Sequence, residues 1–202
     1  YHLSMSFDIR PYHPTDLTSL YRICLETADN GGDATPLHNE PDLLGHFYAA
    51  PYAVLEPDLC FVLTHNGRPC GYVLGARDTA VFGQRCEAEW FPPLREAYPL
   101  PDPDDQSADA NMIRLIHRGH DQTNDPADYP AHLHIDLLPI GQKGGWGRRL
   151  MERFWERLRE VEVTAVHLGV SKTNPNAVGF YKHIGYEIIG DYPTAFLMGI
   201  RL

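Results

Sequence analysis

Residues 137–149 read LLPIGQKGGWGRR, and this stretch decides the fold. An alternating apolar segment, 131–138, precedes it, and residues 148–160 follow with apolar positions at helical spacing. A strand that enters a helix through a glycine-rich loop leaves backbone N–H groups exposed at the positive end of the helix dipole. The segment therefore predicts a pyrophosphate site, although a Gly-Gly pair that only makes a tight strand-to-helix turn is the alternative.

The glycine spacing excludes two common phosphate loops. The pattern G-x-x-x-x-G-K-[ST] of nucleotide hydrolases is absent, and so is the G-x-G-x-x-G pattern of dinucleotide folds. Residues 142–147 instead read Q-x-x-G-x-G, which resembles the acyl-coenzyme A loop of the GNAT superfamily of N-acetyltransferases. Residues 174–186, NPNAVGFYKHIGY, are similar to that superfamily's N-x-x-A-x-x-[LF]-Y-x-x-x-G-[FY] segment.

Five further stretches resemble the acetyltransferase-like C-terminal domain of O-GlcNAcase and its free-standing bacterial relatives. They are IRPY from Ile9, PDLLG from Pro41, CGYVLG from Cys70, EWFPPLREAYP from Glu89 and HIDLLP from His134. The animal domain is often called a pseudo-acetyltransferase because its coenzyme loop has lost the glycine pattern. Here the pattern is intact, so we expect coenzyme binding more than in the animal domain.

The fold class that this resemblance implies is α/β (α+β), the GNAT fold. It is a mixed, mostly antiparallel sheet of about seven strands flanked by helices, with a helical insertion between strands 3 and 4. Two of its strands, those that carry Leu137 and Val170, are expected to splay apart so that the pantetheine arm of the coenzyme bonds backbone near residues 135–138.

Hydrophobic periodicity places the elements independently of the resemblance. Apolar alternation or β-rich runs predict strands at 6–11, 59–64, 70–76, 131–138, 164–170, 186–189 and 195–200. Helical spacing predicts helices from Pro14 to Asn30, after an Asn39 cap, and at 87–98, 108–118, 148–160 and 176–184. Asn66-Gly67 between two apolar runs predicts an antiparallel hairpin.

Composition limits the function classes. The chain has 202 residues and a formal charge of −10, which disfavours a nucleic-acid binder. No apolar run is long enough for a membrane span, and no signal peptide is present, so we expect a cytoplasmic protein. We expect one domain over 5–202, with residues 1–4 a remnant of expression. Residues 79–130 carry ten acidic and four basic side chains and are expected to be an insertion over one face of the core.

Cysteine usage fits a reducing compartment. Cys24, Cys60, Cys70 and Cys86 form no CxxC pair and lie beside apolar residues, so they are expected to be free thiols, with a Cys60–Cys70 disulfide as the alternative.

The resemblance implies acetyl-coenzyme A as cofactor. The residues expected to bind it are Ile135, Leu137, Leu138, Gln142, Lys143, Gly144, Gly145, Trp146, Gly147, Arg148, Asn174 and Tyr181. Tyr181 matches the family position whose hydroxyl protonates the leaving thiolate; packing beneath the coenzyme is the alternative. For Asn174 the alternative is a turn former before Pro175.

A base is needed because an amine must lose a proton during acetyl transfer. Asp136 is the first candidate, since a carboxylate in an apolar strand is costly unless it is paired or used. His134 lies on the same strand face and could share that role or pair with Asp136. We expect a cleft with Asp136 at its floor, walled by the insertion and by residues 29–35, whose negative field favours a cationic or amine acceptor.

Two functions stay open from the sequence. The first is an N-acetyltransferase that acts by direct attack of an amine on acetyl-coenzyme A. The second is a weak or inactive module that binds the coenzyme or a peptide. The H-x-H pair His132 and His134 lacks a third spaced ligand, so no metal is expected. The acceptor is a small-molecule or peptide amine, and the chain is a monomer or a homodimer.

Overall fold

The computed structural model describes residues 6–120 and 126–202. Seven strands form one sheet in the order β1-β2-β3-β4-β5-β7-β6. The strands are β1 (Phe7–Pro11), β2 (Cys60–His65), β3 (Arg68–Ala76), β4 (Ala131–Leu137), β5 (Ala165–Ser171), β6 (Glu187–Asp191) and β7 (Ala195–Arg201). The α-helices are α1 (Leu17–Leu25), α2 (Leu43–Tyr48), α3 (Ala50–Leu55), α4 (Thr79–Arg85), α5 (Phe91–Ala97), α6 (Ala108–Arg118), α7 (Trp146–Glu160) and α8 (Pro175–His183). The predicted mixed, mostly antiparallel GNAT-type sheet is confirmed.

The β2–β3 hairpin turns where the sequence predicts it. Asn66 and Gly67 both have positive φ, 51° and 78°, which is the conformation that a two-residue hairpin turn of right-handed twist requires. The strands on either side pair antiparallel, and β1 pairs with β2 in the same sense. This hairpin brings the centre of β3 beside β4.

The parallel pair β4 and β5 separates early. Their pairing covers only Ala131 with Val166 and His132 with His167, whereas β5 pairs with β7 along its whole length. Beyond His132 the two strands part, as the expected splay requires. The backbone of β4 therefore faces a gap on its β5 side.

The two faces of the sheet are covered by different helices. On one face α7 packs against β2 and β3, and Phe154 lies so close to Gly75 that an added Cβ would be 2.3 Å from the phenyl ring. Helices α1 and α3 pack on the opposite face. The antiparallel register directs Tyr72 of β3 and Asp136 of β4 to that second face together.

The insertion between β3 and β4 is helical and docks on α2. It contains α4, a π-helical segment Cys86–Trp90, α5 and α6. Phe91 stacks on Phe47 at 5.7 Å, and His38 Nδ1 lies 2.7 Å from an Asp109 carboxylate oxygen. These contacts place the insertion over the face that carries α1–α3.

Several predicted element boundaries were wrong. The first helix ends at Leu25, and the second begins at Leu43 with no side-chain cap, so Asn39 does not cap it. Helical structure in the insertion begins at Thr79 because Asp78 caps it by accepting from the Val81 N–H. Helix α7 starts two residues early, at Trp146.

All four cysteines are buried and free, so the alternative Cys60–Cys70 disulfide is absent. Residues 1–4 lie outside the described residues. In the described part of the chain, no helix combines the length and the apolarity that crossing a bilayer demands.

Candidate active site

The glycine-rich loop forms a concave stretch of backbone before α7. Lys143, Gly144 and Gly145 have φ values of 61°, 132° and 78°, three positive values in succession. Gly145 is the N-cap of α7 and offers no side chain to the first turn, whose N–H groups have no partner within the helix. A Cβ added at Gly145 would meet no atom within 4 Å. The loop thus leaves open space beside polarised N–H groups, which fits an anion such as a pyrophosphate.

The loop's larger side chains are partly engaged by the protein itself. The Trp146 ring stacks on Phe7 of β1 at 5.1 Å, and the Arg149 guanidinium lies 4.5 Å above the indole. Arg148 donates to Glu152 at 2.8 Å, an exposed pair of the kind that contributes little to stability. Trp146 therefore anchors the start of α7, and Arg148 can exchange its partner for a phosphate at small cost.

The end of β4 is tied to the loop. Gln142 Nε2 donates to the Leu137 carbonyl at 2.9 Å, and the Leu138 N–H donates to the Cys70 carbonyl at 2.9 Å. Of the backbone groups expected to bond pantetheine, the Leu137 oxygen thus already has a protein donor. Ile135 lies within the stretch of β4 that makes no pairing with β5.

Helix α8 brings the second sequence block to the same place. Asn174 caps it by accepting from the Ala177 N–H at 3.1 Å. Phe180 lies beside the start of α7, where a Cβ at Gly147 would be 3.2 Å from its ring. Tyr181 is buried, and its pKa is raised by burial first and then by the charge of Asp136. The structure therefore brings Tyr181 and Asp136 within electrostatic range of each other.

Asp136 is held by β3 and by the turn that follows α1. The Tyr72 hydroxyl donates to Asp136 Oδ2 at 2.6 Å across the β3–β4 register. Burial raises the pKa of Asp136 to about 6, while hydrogen bonds from Tyr72 and Thr27 oppose the rise. The carboxyl group is therefore mostly ionised at neutral pH and has a pKa suited to accepting a proton.

A cleft of about 240 Å³ opens on the same sheet face, next to the place where β4 and β5 part. Its lining is formed by Phe47, Tyr48, Tyr52, Thr79, His120, His132, Leu133, His134, His167, Leu168, Gly169 and Leu197. None of these is Asp, Glu, Lys or Arg. The insertion contributes Thr79 and His120 to the wall, as expected. Asp136 and residues 29–35 are not part of this lining, contrary to expectation.

The two candidate bases on β4 have separate partners. His134 Nε2 lies 3.1 Å from the Tyr52 hydroxyl, whereas Asp136 bonds Tyr72, so the two do not form the pair that their spacing suggested. Burial lowers the pKa of His134 to about 4. At neutral pH Asp136 is thus mostly ionised and His134 is neutral, so neither group carries the proton. No cluster of three or more His, Cys, Asp or Glu suited to a metal ion occurs within 6–120 and 126–202.

Sequence reasoning missed the residues that hold these bases. Tyr72 could have been found, because the hairpin register that Asn66-Gly67 sets carries it to the position opposite Asp136. Tyr52 gave no signal, since its partners His132 and His134 are 80 and 82 residues away in the chain.

The gap between β4 and β5 lies between the glycine-rich loop before α7 and the cleft on the α1–α3 side. A ligand that lays its phosphates on that loop has room to send a thin arm along the unpaired side of β4. The family model for the acetyltransferase (GNAT) family matches residues 112–186. The chain belongs to the GNAT acetyltransferase family.

Known proteins agree with this assignment. The solved structure of SsHAT is 39% identical, with a TM-score of 0.91, and the match covers 97% of this chain and 98% of that one. Protein O-GlcNAcase of Rattus norvegicus is 34% identical over 137 residues, which are 66% of this chain and 15% of the relative. The chain therefore spans only a small part of the curated relatives it matches. The PaiA N-acetyltransferase of Thermoplasma acidophilum, solved with coenzyme A, shares the fold at 14% identity, with a TM-score of 0.59 over 98% of this chain and all of that one.

Proposed function

We propose that this chain transfers the acetyl group of acetyl-coenzyme A to the nitrogen of a small-molecule or peptide amine by direct attack. The observation that carries the proposal is the parting of β4 and β5 after His132, because it connects the glycine loop with the histidine-lined cleft on the opposite sheet face. Acetyl-coenzyme A supplies an activated acetyl thioester when it is bound.

Different parts of the chain are expected to bind different parts of the coenzyme. Backbone N–H groups of residues 143–147 would hold the pyrophosphate in the open space beside Gly145, and Lys143 and Arg148 would bring positive charge to it. The unpaired edge of β4 around Ile135 offers backbone hydrogen bonds to a pantetheine arm. Asn174 orders the start of α8 and so fixes where Tyr181 stands.

Proton movement falls to three side chains. The Tyr181 hydroxyl holds a proton that it can give to a leaving thiolate, and burial, by raising its pKa, keeps that proton in place at neutral pH. Asp136 and His134 are the two groups on the cleft-side face of β4 that can take the proton of the amine. Asp136 is ionised and His134 is neutral at pH 7, so neither needs prior activation.

Calorimetric titration with acetyl-coenzyme A, followed by turnover on an amine panel, tests the proposal. We expect one binding site per chain and acetylation of at least one class of amine. Binding without turnover on any acceptor would support the alternative, a coenzyme-binding module, which the relation to O-GlcNAcase makes worth testing. Absence of binding would refute both.

A further inference from the structure

A continuous chain of hydrogen bonds runs beside the cleft through four side chains. Thr79 Oγ1 lies 2.8 Å from His132 Nδ1, His132 Nε2 lies 2.8 Å from the Tyr52 hydroxyl, and that hydroxyl lies 3.1 Å from His134 Nε2. At its far end, Thr79 Oγ1 donates to the Pro130 carbonyl at 2.9 Å. The chain thus begins at a backbone carbonyl and ends at an imidazole in the cleft wall.

The carbonyl at the far end fixes the direction of every hydrogen bond in this chain. A carbonyl oxygen only accepts, so the single hydroxyl proton of Thr79 is used on Pro130, and Thr79 Oγ1 must accept from His132 Nδ1. A neutral His132 then has its lone pair on Nε2 and accepts from the Tyr52 hydroxyl. The Tyr52 oxygen in turn accepts from His134 Nε2, which leaves the lone pair of His134 on Nδ1.

Both histidines are neutral for a physical reason. Burial, together with the neighbouring imidazoles, lowers the pKa of His132 well below its ordinary value. Burial, followed by the influence of His120, lowers that of His134 to about 4. Each ring therefore carries one N–H at neutral pH, which is consistent with one donating and one accepting nitrogen in each imidazole.

We propose that this chain fixes His134 as the Nε2–H tautomer, so that its Nδ1 lone pair takes the proton of the acceptor amine. Tyr52, His132 and Thr79 are then positioning residues, and the inference rests on the proposed function. In the proton transfer an N–H bond of the amine breaks and an N–H bond forms at His134 Nδ1. The resulting imidazolium keeps its donation from Nε2 to Tyr52, so no hydrogen bond of the chain is lost.

The cleft holds a second sign that it receives a polar group. His120 Nε2 is buried and has no hydrogen-bond partner among the described residues. Buried polar atoms are normally satisfied, so an orphaned nitrogen beside a cleft points to a bound ligand or water as its partner. An acceptor that gives its proton to His134 would lie within the same lining as His120.

Nitrogen-15 spectra of the histidine side chains test the tautomers in the free protein at neutral pH. We expect His132 to be protonated at Nδ1 and His134 at Nε2. Tyr52→Phe keeps the buried ring, which stacks on Phe82 at 4.4 Å, and removes the bridging hydroxyl. Thr79→Val removes the terminal hydroxyl, and Thr79→Ser is its control because it retains that group.

We expect both tautomers to be unchanged in Thr79→Ser and the Nε2–H population of His134 to fall in Tyr52→Phe and Thr79→Val. Tyr48→Phe is a control for hydroxyl loss in the same cleft, because its ring is 5.5 Å from His134 but lies outside the chain. Protonation of His134 at Nδ1 in the wild type would overturn the inference. Unchanged tautomers in both Tyr52→Phe and Thr79→Val would do so as well.

Turnover then separates this inference from the proposed function. His134→Gln puts an amide nitrogen near the Nε2 position but offers no base, so kcat should fall roughly 10²–10⁴-fold with acetyl-coenzyme A affinity unchanged. Tyr52→Phe should lower kcat less. Full kcat in His134→Gln would refute His134 as proton acceptor while leaving acetyl transfer intact. If no amine is acetylated at all, the proposed function fails, and the tautomer spectra still decide whether the chain orders His134.

Discussion

Gly145→Ala should abolish coenzyme binding while leaving the fold in place, and Gly67→Ala is its matched control. Both glycines have a φ of 78°, and a Cβ added at either would meet no atom within 4 Å. The two substitutions therefore impose the same backbone strain and no steric clash inside the protein. The two positions differ in their expected role. Gly145 borders the space expected to hold a pyrophosphate, whereas Gly67 lies in the β2–β3 turn and is expected to contact no ligand.

The magnitudes follow from that conformation. A left-handed conformation costs a non-glycine residue about 1–2 kcal/mol. In a domain of this length 1 kcal/mol corresponds to about 2–4 °C, so each variant should lower the melting temperature of the free protein by about 2–8 °C. Acetyl-coenzyme A at 100 times its Kd adds about 2.7 kcal/mol to the stability of the wild type, or about 5–11 °C.

Thermal denaturation with and without acetyl-coenzyme A measures both quantities. We expect Gly67→Ala to keep the full ligand-induced rise and Gly145→Ala to lose it, although the two free proteins melt alike. Equal ligand-induced rises in the two variants would refute the assignment of the loop. Gly147 is a poorer choice, because its Cβ would press on Phe180 at 3.2 Å and mix a packing effect with ligand loss.

Four further predictions concern Tyr181, Asp136 and the amine acceptor. Tyr181→Phe should keep coenzyme affinity and lower turnover roughly 10²–10⁴-fold; unchanged turnover would reduce Tyr181 to packing. The pKa of Asp136 is higher in the folded than in the unfolded protein, so the protonated carboxyl stabilises the fold at low pH, and this stabilisation is lost as the pH rises through about 6. Melting curves from pH 4 to 7 should show this loss in the wild type and not in Asp136→Asn. The same variant should keep the wild-type pH profile of turnover, because His134 is the proposed proton acceptor; a loss confined to pH values above about 6, where the wild-type carboxyl is ionised, would assign proton acceptance to Asp136 instead. The cleft lining has no charged side chain, so an aniline-type amine, which is uncharged at pH 7, should have a higher kcat/KM than a benzylammonium. The opposite ranking would support the cationic acceptor that the acidic insertion suggested.

The sequence alone was enough to predict the sheet and the glycine-rich loop, because their signals are local. Apolar alternation gives strands, Asn-Gly gives the hairpin, and successive glycines give a loop that an anion can approach. Helix boundaries in the N-terminal half were harder to predict from the sequence. The helical structure breaks at Ala49, with φ −130° and ψ −60°, between α2 and α3, and Pro51 in the first turn of α3 marks this break in the sequence.

The candidate bases were visible as residues, but their environments were not. Asp136 and His134 stand two positions apart on β4, and strand periodicity placed them correctly on one face. Whether they would pair depended on which side chains reach that face from elsewhere. Tyr72 arrives through the β3–β4 register and Tyr52 through α3, and these two hydroxyls take one base each.

The sequence by itself determined the class of fold and the glycine-rich loop before α7, and it singled out Tyr181 as a candidate, since each depends on residues close together in the chain. Only the tertiary structure decided the cleft, because its walls come from α2, α3, α4, β4, β5, β7 and the segment after α6. It also decided the protonation pattern of the histidines. A tautomer depends on the partner of each ring nitrogen, and the partners Thr79 and Tyr52 are 53 and 80 residues away from His132. Packing of the insertion and α3 against β4 brings these groups into hydrogen-bonding distance, and no local pattern encodes that.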